Sequence, residues 1–420
     1  MQALLGIIGF IFIFGLAVLV HELGHFLTAR KFGVLCHEFA IGMGPIVWKK
    51  RVGETLYTIR AIPIGGFVSM GMNEGERDIF KVGEEIGLTF GPDGQTVVKM
   101  HYQATEGQVS GKLLNNTIDI SAQLEIILEV AGERHVYPVD REAFYVDKKA
   151  DRMAQIVPVD RRLESKPKRQ RLVIMAAGAF MNFVLAFVLA LIVSASTGEV
   201  VGSHNVLQSV VPNGASYEAG LQADDIISEI NGVEMADGDD IVAAIRLAGA
   251  TPMHVVFQRD GQMVETYLTP RAQQGTYLIG VHFVPVVERS FVGVFRGAAD
   301  RWTTGAMLIV DSVRMLVTGE AGADDLAGVV GIVHMTSEVA MLGILPLLMF
   351  ATMININLGI FNLLPFPALD GGHITFIVIE AIIGKPVNAK LQQIVSMIGF
   401  GLLLLLMLFT VFNDILRIVN

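Results

Sequence analysis

An uncharged apolar run, Met1 to Val20, leads directly into His21-Glu22-Leu23-Gly24-His25. A run of that length is enough to cross a bilayer as a helix. On a helix, residues four apart share a face with Cβ atoms about 5–6 Å apart, so His21 and His25 can offer two imidazoles to one metal. Glu22, beside them, can reach a water at that metal. This is the zincin arrangement, with two ligands and a general base on one helical turn. A solvated helix face could carry the same letters, but the residues before it leave that face no water. Ionisable groups at membrane depth are costly and usually face a bundle interior or a wet cavity. The pattern points to a metal site inside a membrane.

Composition agrees. The 420 residues are 52% hydrophobic and 17% charged, with mean hydropathy +0.54, against about 25% charged in soluble proteins. A net charge of −10 gives no nucleic-acid footprint. Cys36 is the sole cysteine, which excludes an intrachain disulfide and a cysteine-built zinc cage, and it reads as a packing residue. The N-terminal run lacks a basic n-region and an A-x-A-like cleavage site, so it reads as a retained segment.

Four uncharged stretches reach crossing length: 1–20, 172–198, 339–369 and 391–413. The region between the first two, 28–171, holds 21 Lys+Arg and 19 Asp+Glu, while 199–338 holds 7 and 18. Arg30, Lys31, Lys49, Lys50 and Arg51 crowd one membrane edge of the first region, and Lys166, Lys168, Arg169 and Arg171 the other. The positive-inside rule makes that region cytoplasmic and the acidic one external, with both termini outside.

Residues 38–70 read as strand pieces broken by Gly42, Gly44, Gly65 and Gly66, a hairpin beside the metal helix or on the surface. Its edge could hold an extended peptide. Residues 73–165 read as a small cytoplasmic β-rich insert in which His101 and His135 are ordinary strand or surface residues. Residues 206–211, 254–259 and 264–269 read as strands and 239–248 as a helix, and Ala219-Gly220-Leu221 leads into Asp225-Ile226-Ile227 and Ile230-Asn231-Gly232. That order resembles a bacterial PDZ domain, with Asp224 where the family usually has glycine. Aspartate tolerates the left-handed backbone such a turn needs. Trp302, Ala306, Ile309, Val310, Val313 and Leu316 recur at helical spacing, interrupted by Asp311 and Arg314, so 300–318 reads as an amphipathic helix. Asp324 and Asp325 read as solvated charge.

Asn362-Leu363-Leu364-Pro365-Phe366-Pro367-Ala368-Leu369-Asp370-Gly371-Gly372-His373 closes the third apolar stretch. Two prolines so close cannot both sit inside a regular helix, so the backbone must unwind there. Asp370 is the only acid between Glu338 and Glu380. A lone carboxylate in that setting is paired, protonated or metal-bound. His21, His25 and Asp370 would form a three-ligand zinc site with an open fourth position, and Glu22 would serve as general base. His373 competes for the third place. Asp370 is preferred because the unwound turn frees its side chain.

His21-Glu22-x-x-His25 in a first membrane helix, Asn362-x-x-Pro365-x-Pro367-x-Leu369-Asp370-Gly371 in a later one, and a PDZ-like unit between them resemble the site-2 protease family. These are RseP-type intramembrane zinc metalloproteases, and the resemblance is greatest to the single-PDZ, RasP/Eep-like Gram-positive members. It implies Zn²⁺ and cleavage of single-pass substrates within the bilayer: anti-sigma factors, remnant signal peptides or pheromone precursors. It also implies that Gly42, Gly44, Gly65, Gly66, Asn357 and Asn362 handle substrate, and that the PDZ-like unit contacts the outer ends of substrates. Two departures stand out. Ala177-Gly178-Ala179 and Gly328-Val329-Val330-Gly331 both lack a proline often found there.

The expected fold is a multi-pass α-helical membrane protein of about four transmembrane helices, with a membrane-associated β-hairpin, a cytoplasmic β-rich insert and one extracytoplasmic PDZ-like domain. Its divisions fall at 1–72, 73–165, 166–198, 199–288, 289–338, 339–390 and 391–420. Two rival functions fit less of the chain. A PDZ-bearing scaffold or chaperone with a dead site leaves the intact His21, Glu22, His25 and Asp370 unexplained, and a transporter would show internal repeats, which are not found.

Overall fold

The computed structural model describes residues 2–71, 80–115, 117–146, 153–273, 276–320, 322 and 328–419. Asp324 and Asp325 lie outside them. The chain divides into two units, 1–189 with 304–420, and 190–303.

In the first unit, helix α1 (Gln2–Lys31) carries the apolar run without interruption through His25, so the motif lies inside the helix rather than at its end. Strands β1 (Cys36–Val52) and β2 (Thr55–Met70) follow as the expected hairpin. Their pairing is more elaborate than one hairpin. Val52↔Thr55 through Ile46↔Arg60 form one antiparallel ladder, and Ile41↔Gly66 through Cys36↔Met70 another. Phe39 also lies opposite Tyr57, and Ala40 opposite Thr58, so β1 folds back between two stretches of β2. Glu38 secures this fold by accepting from Thr58 Oγ1 at 2.6 Å and Arg60 Nη2 at 2.7 Å. Met43, Ile46, Val47 and Trp48, near the far bend, are exposed apolar residues.

Among the described residues six strands form the insert: β3 (Glu85–Phe90), β4 (Val97–His101), β5 (Val109–Leu113), β6 (Glu125–Val130), β7 (Glu133–Val146) and β8 (Met153–Gln155), with helix α2 (Thr117–Gln123) between β5 and β6. The order is β4-β3-β5-β6-β7-β8, and β7 also pairs with β4, which closes five strands into a ring. Alternate residues Ile86, Leu88, Ile126 and Leu128 fill its interior with Phe80 and Met100. Closure hides strand edges that would otherwise invite other chains.

Helix α3 (Lys168–Thr197) runs on into the second unit. There lie β9 (Glu199–Val210), α4 (Ala215–Glu218), β10 (Ile226–Ile230), β11 (Val233–Glu234), α5 (Gly238–Ala248), β12 (Met253–Arg259), β13 (Gln262–Leu268), the pair β14 (Arg271–Gln273) and β15 (Thr276–Leu278), and β16 (Val281–Glu288). The main sheet has the order β13-β12-β10-β9-β16, with β11 beside β10. Leu207, Ile227, Ile241, Ile245, Val255 and Phe257 make its core. Asp237 caps α5, accepting from the amides of Asp239 and Asp240. Asp224 takes φ +69°, as the sequence requires of that turn.

Helix α6 (Phe291–Thr318) begins earlier than the 300–318 pattern, because Ser290 Oγ accepts from the Gly293 amide and starts the helix there. The expected single stretch 339–369 is instead two helices, α7 (Val329–Leu342) and α8 (Ile344–Leu363), broken at Gly343 with φ +119°. The Gly328 and Gly331 amides both donate to the Asp414 carboxylate, at 3.2 and 2.7 Å. Proline at either position would abolish its bond. Leu364 to Leu369 are non-helical, as the prolines demand, and α9 (Asp370–Ile383) and α10 (Ala389–Val419) complete the chain. Among the described residues four helices are long and apolar enough to cross a membrane: Gly6–Lys31, Lys168–Thr197, Ile344–Leu363 and Ala389–Leu416. These helices fit a membrane protein.

Candidate metal centre

One turn of α1 brings His21 Nε2 and His25 Nε2 to 3.1 Å. Asp370 reaches both because α9 begins with it, after the proline turn has ended α8. Its Oδ2 lies 3.2 Å from each Nε2. The three donor atoms thus form a near-equilateral triangle, close to the ~3.3 Å separations of ligands around one tetrahedral zinc. Asp370 Oδ2 is buried and has no satisfactory hydrogen-bond partner. A buried, under-bonded carboxylate oxygen facing two imidazole nitrogens suits a cation.

Space for that cation is kept by a glycine. A Cβ on Gly178 of α3 would stand 2.3 Å from His25 Nε2 and 2.7 Å from His21 Nε2. The Ala177-Gly178-Ala179 segment, noted above only for its missing proline, is therefore a small-residue surface against the two histidines. Helix α3 also supplies the imidazoles' far-side contacts. The Ile174 carbonyl lies 2.8 Å from His25 Nδ1, and Asn182 Nδ2 lies 3.3 Å from His21 Nδ1. Neither Gly178 nor Asn182 was given a site role from sequence, although both lie in the segment compared there with the family pattern. The small-residue run was the available signal for the first.

Glu22 stays out of the triangle. The Val68 backbone meets its carboxylate, and a Cβ on Gly66 would stand 3.0 Å from its Cγ. Of the four hairpin glycines, Gly66 is thus the one beside the general-base candidate. Gly42, Gly44 and Gly65 take positive φ at the bends. Asn357 and Asn362 are half-buried on α8, and five residues of helix turn them about 140° apart. His373 lies one turn beyond Asp370 on α9 and is not among the three converging donors.

The model of Peptidase family M50 matches residues 9–406. The chain belongs to that family. Zinc metalloprotease RasP of Bacillus licheniformis is 39% identical over 98% of this chain and 99% of its own length. Regulator of sigma-W protease RasP of Bacillus subtilis is 38% identical over 98% of each chain. Zinc metalloprotease RasP of Shouchella clausii is 36% identical over 97% of this chain and 98% of its own. A solved PDZ domain of an SdrC-like protein from Listeria monocytogenes overlaps 20% of this chain and 93% of its own at 19% identity, but its TM-score of 0.18 carries no argument. This M50 peptidase is a zinc metalloprotease of the site-2 type, a membrane enzyme of regulated intramembrane proteolysis.

Proposed function

We propose that His21, His25 and Asp370 hold the catalytic zinc of this M50 peptidase and that Glu22 is its general base. The observation that carries the reading is the triangle of two Nε2 atoms and one Oδ2 at 3.1–3.2 Å, closed by side chains from opposite ends of the sequence. Zinc, when bound, supplies Lewis acidity for the scissile carbonyl and lowers the pKa of water at its open position. Glu22 receives a proton from the attacking water and delivers it to the amine nitrogen as the peptide C–N bond breaks. The water oxygen ends on the new carboxylate.

A transmembrane substrate hides its amides in internal hydrogen bonds and must unwind before hydrolysis. The Gly66–Met70 stretch of β2 runs beside Glu22 and offers backbone groups to an added substrate strand. Gly42, Gly44 and Gly65 shape that hairpin, and Asn357 and Asn362 contact the unwound segment. The substrates are single-pass membrane proteins or signal-peptide remnants, including anti-sigma factors and pheromone precursors. The charge asymmetry supports an arrangement with 73–165 cytoplasmic and with 199–288 and both termini outside. In it the 199–288 unit is a PDZ-like domain that meets the outer ends of substrates and excludes those not yet trimmed. Deleting 200–285 should then increase cleavage of full-length substrates, and no increase counts against the filter.

The direct test uses purified protein and a single-pass peptide in detergent or bilayers. Wild type should cleave within the apolar segment, and Glu22→Gln should bind zinc without cleaving. Cleavage by Glu22→Gln at the wild-type rate would remove Glu22 from the mechanism.

A further inference from the structure

The two imidazoles of the triangle are held from behind in different ways. His25 Nδ1 faces the Ile174 carbonyl at 2.8 Å. A carbonyl only accepts, so Nδ1 carries the proton and Nε2 keeps its lone pair for a metal. His21 Nδ1 faces a side-chain amide instead, with Asn182 Nδ2 at 3.3 Å. In that orientation Asn182 donates and Nδ1 accepts, which puts the imidazole proton on Nε2, where it blocks coordination. Asn182 is 1% exposed, and its Oδ1 is buried without a hydrogen-bond partner.

One rearrangement frees His21 Nε2 and gives the oxygen a partner. Half a turn about the last side-chain bond exchanges Oδ1 and Nδ2, groups of nearly equal size that only hydrogen bonding distinguishes. The oxygen then accepts from His21 Nδ1–H, and Nε2 is freed toward Asp370. We infer that Asn182 is the positioning residue of His21, its side-chain oxygen fixing the tautomer and ring orientation that let Nε2 bind zinc. The role matches that of the Ile174 carbonyl at His25, and outer partners of this kind typically set metal affinity within ~10–100-fold. Asn355 provides a contrast. It is equally buried with an unpartnered Oδ1, but its Nδ2 donates to Ala351 of its own helix and it makes no hydrogen bond to the histidines.

The inference rests on His21 being a zinc ligand, so the experiment separates the two claims. Zinc affinity and release rate are measured on the full chain in detergent by competition with a chromophoric chelator, for wild type, His21→Ala, Asn182→Ala, Asn182→Asp and Asn355→Ala. Asn182→Ala should bind zinc ~10–100-fold more weakly, Asn182→Asp at least as tightly as wild type, and Asn355→Ala within about threefold. Wild-type affinity in Asn182→Ala overturns the inference, as does weakened binding in Asn182→Asp, which alone decides if the alanine variant does not fold. Loss of zinc in His21→Ala without loss in Asn182→Ala sinks only the positioning role. Full zinc in His21→Ala sinks the ligand assignment itself.

Discussion

His25 Nε2 and Asp370 Oδ2 lie 3.2 Å apart, one within the first helix and the other at the first residue of α9. Their meeting depends on two local features. The helix must continue unbroken through His25, and the chain must unwind over Leu364 to Leu369 so that α9 starts afresh with Asp370. Each of the following expectations tests a part of that arrangement.

Gly178→Ala adds a methyl group where the ion would lie, 2.3 Å from His25 Nε2. The backbone of α3 cannot retreat without losing its packing on α1, so zinc binding should fall by at least ~100-fold and cleavage with it. Metal analysis and equilibrium competition would check this, and a fully loaded, active Gly178→Ala protein would contradict it.

Gly66→Val should separate chemistry from metal binding. The new side chain meets Val18 and Glu22, both about 3 Å from the position of its Cβ. Displacing a catalytic group by about an ångström costs on the order of 100-fold in rate. The variant should keep its zinc and lose kcat to that extent in a peptide-cleavage assay.

The hairpin turn is tied down by Arg161, whose guanidinium donates through two nitrogens to Glu54, one at 2.8 Å. That hydrogen-bonded pairing holds the Glu54 carboxyl below its ordinary value of 4.5. Its native form therefore binds fewer protons than the unfolded form as the solution is acidified. The stability it contributes is complete above pH ~4.5 and is lost as pH falls toward the depressed native value. Thermal unfolding of Glu54→Gln should show a shallower decline on acidification than wild type. A decline of equal steepness would mean the pair contributes nothing.

In the second unit Asp225 is 1% exposed and accepts from Arg259 Nε at 2.8 Å, Arg259 Nη2 at 2.7 Å and the Gln222 amide at 2.8 Å. Asp225→Ala strands the Gln222 amide and frees the partly exposed Arg259 to solvent, and should cost on the order of 1–3 kcal/mol locally. Hydrogen exchange across 199–288 should accelerate accordingly, while the amides of α1 remain unchanged.

Much of this was legible in the sequence where the signal is local. The i, i+4 histidines, the two closely spaced prolines and an isolated acid in an apolar stretch each declare themselves over a few residues. So do Asp260 and Gly261, whose positive φ values turn β12 into β13. What could not be read depends on partners far along the chain. Phe39 gives no hint that it lies opposite both Val68 and Tyr57. Asn182, in the Met181-Asn182-Phe183 stretch, has no readable role until His21 is placed beside it. The break at Gly343 was missed because the residues around it are uniformly apolar, so hydropathy carried straight across. The closing pair of the insert, β4 with β7, is likewise a parallel contact between residues more than forty apart in the chain, beyond any local pattern.

Zinc content tests the central claim most directly. Elemental analysis of the full chain purified in detergent should give about one zinc per chain in wild type and Glu22→Gln, and close to none in Asp370→Ala and His25→Ala. A full complement of zinc in folded Asp370→Ala would contradict the account, because the carboxylate 3.2 Å from both imidazoles would then have no part in holding the ion.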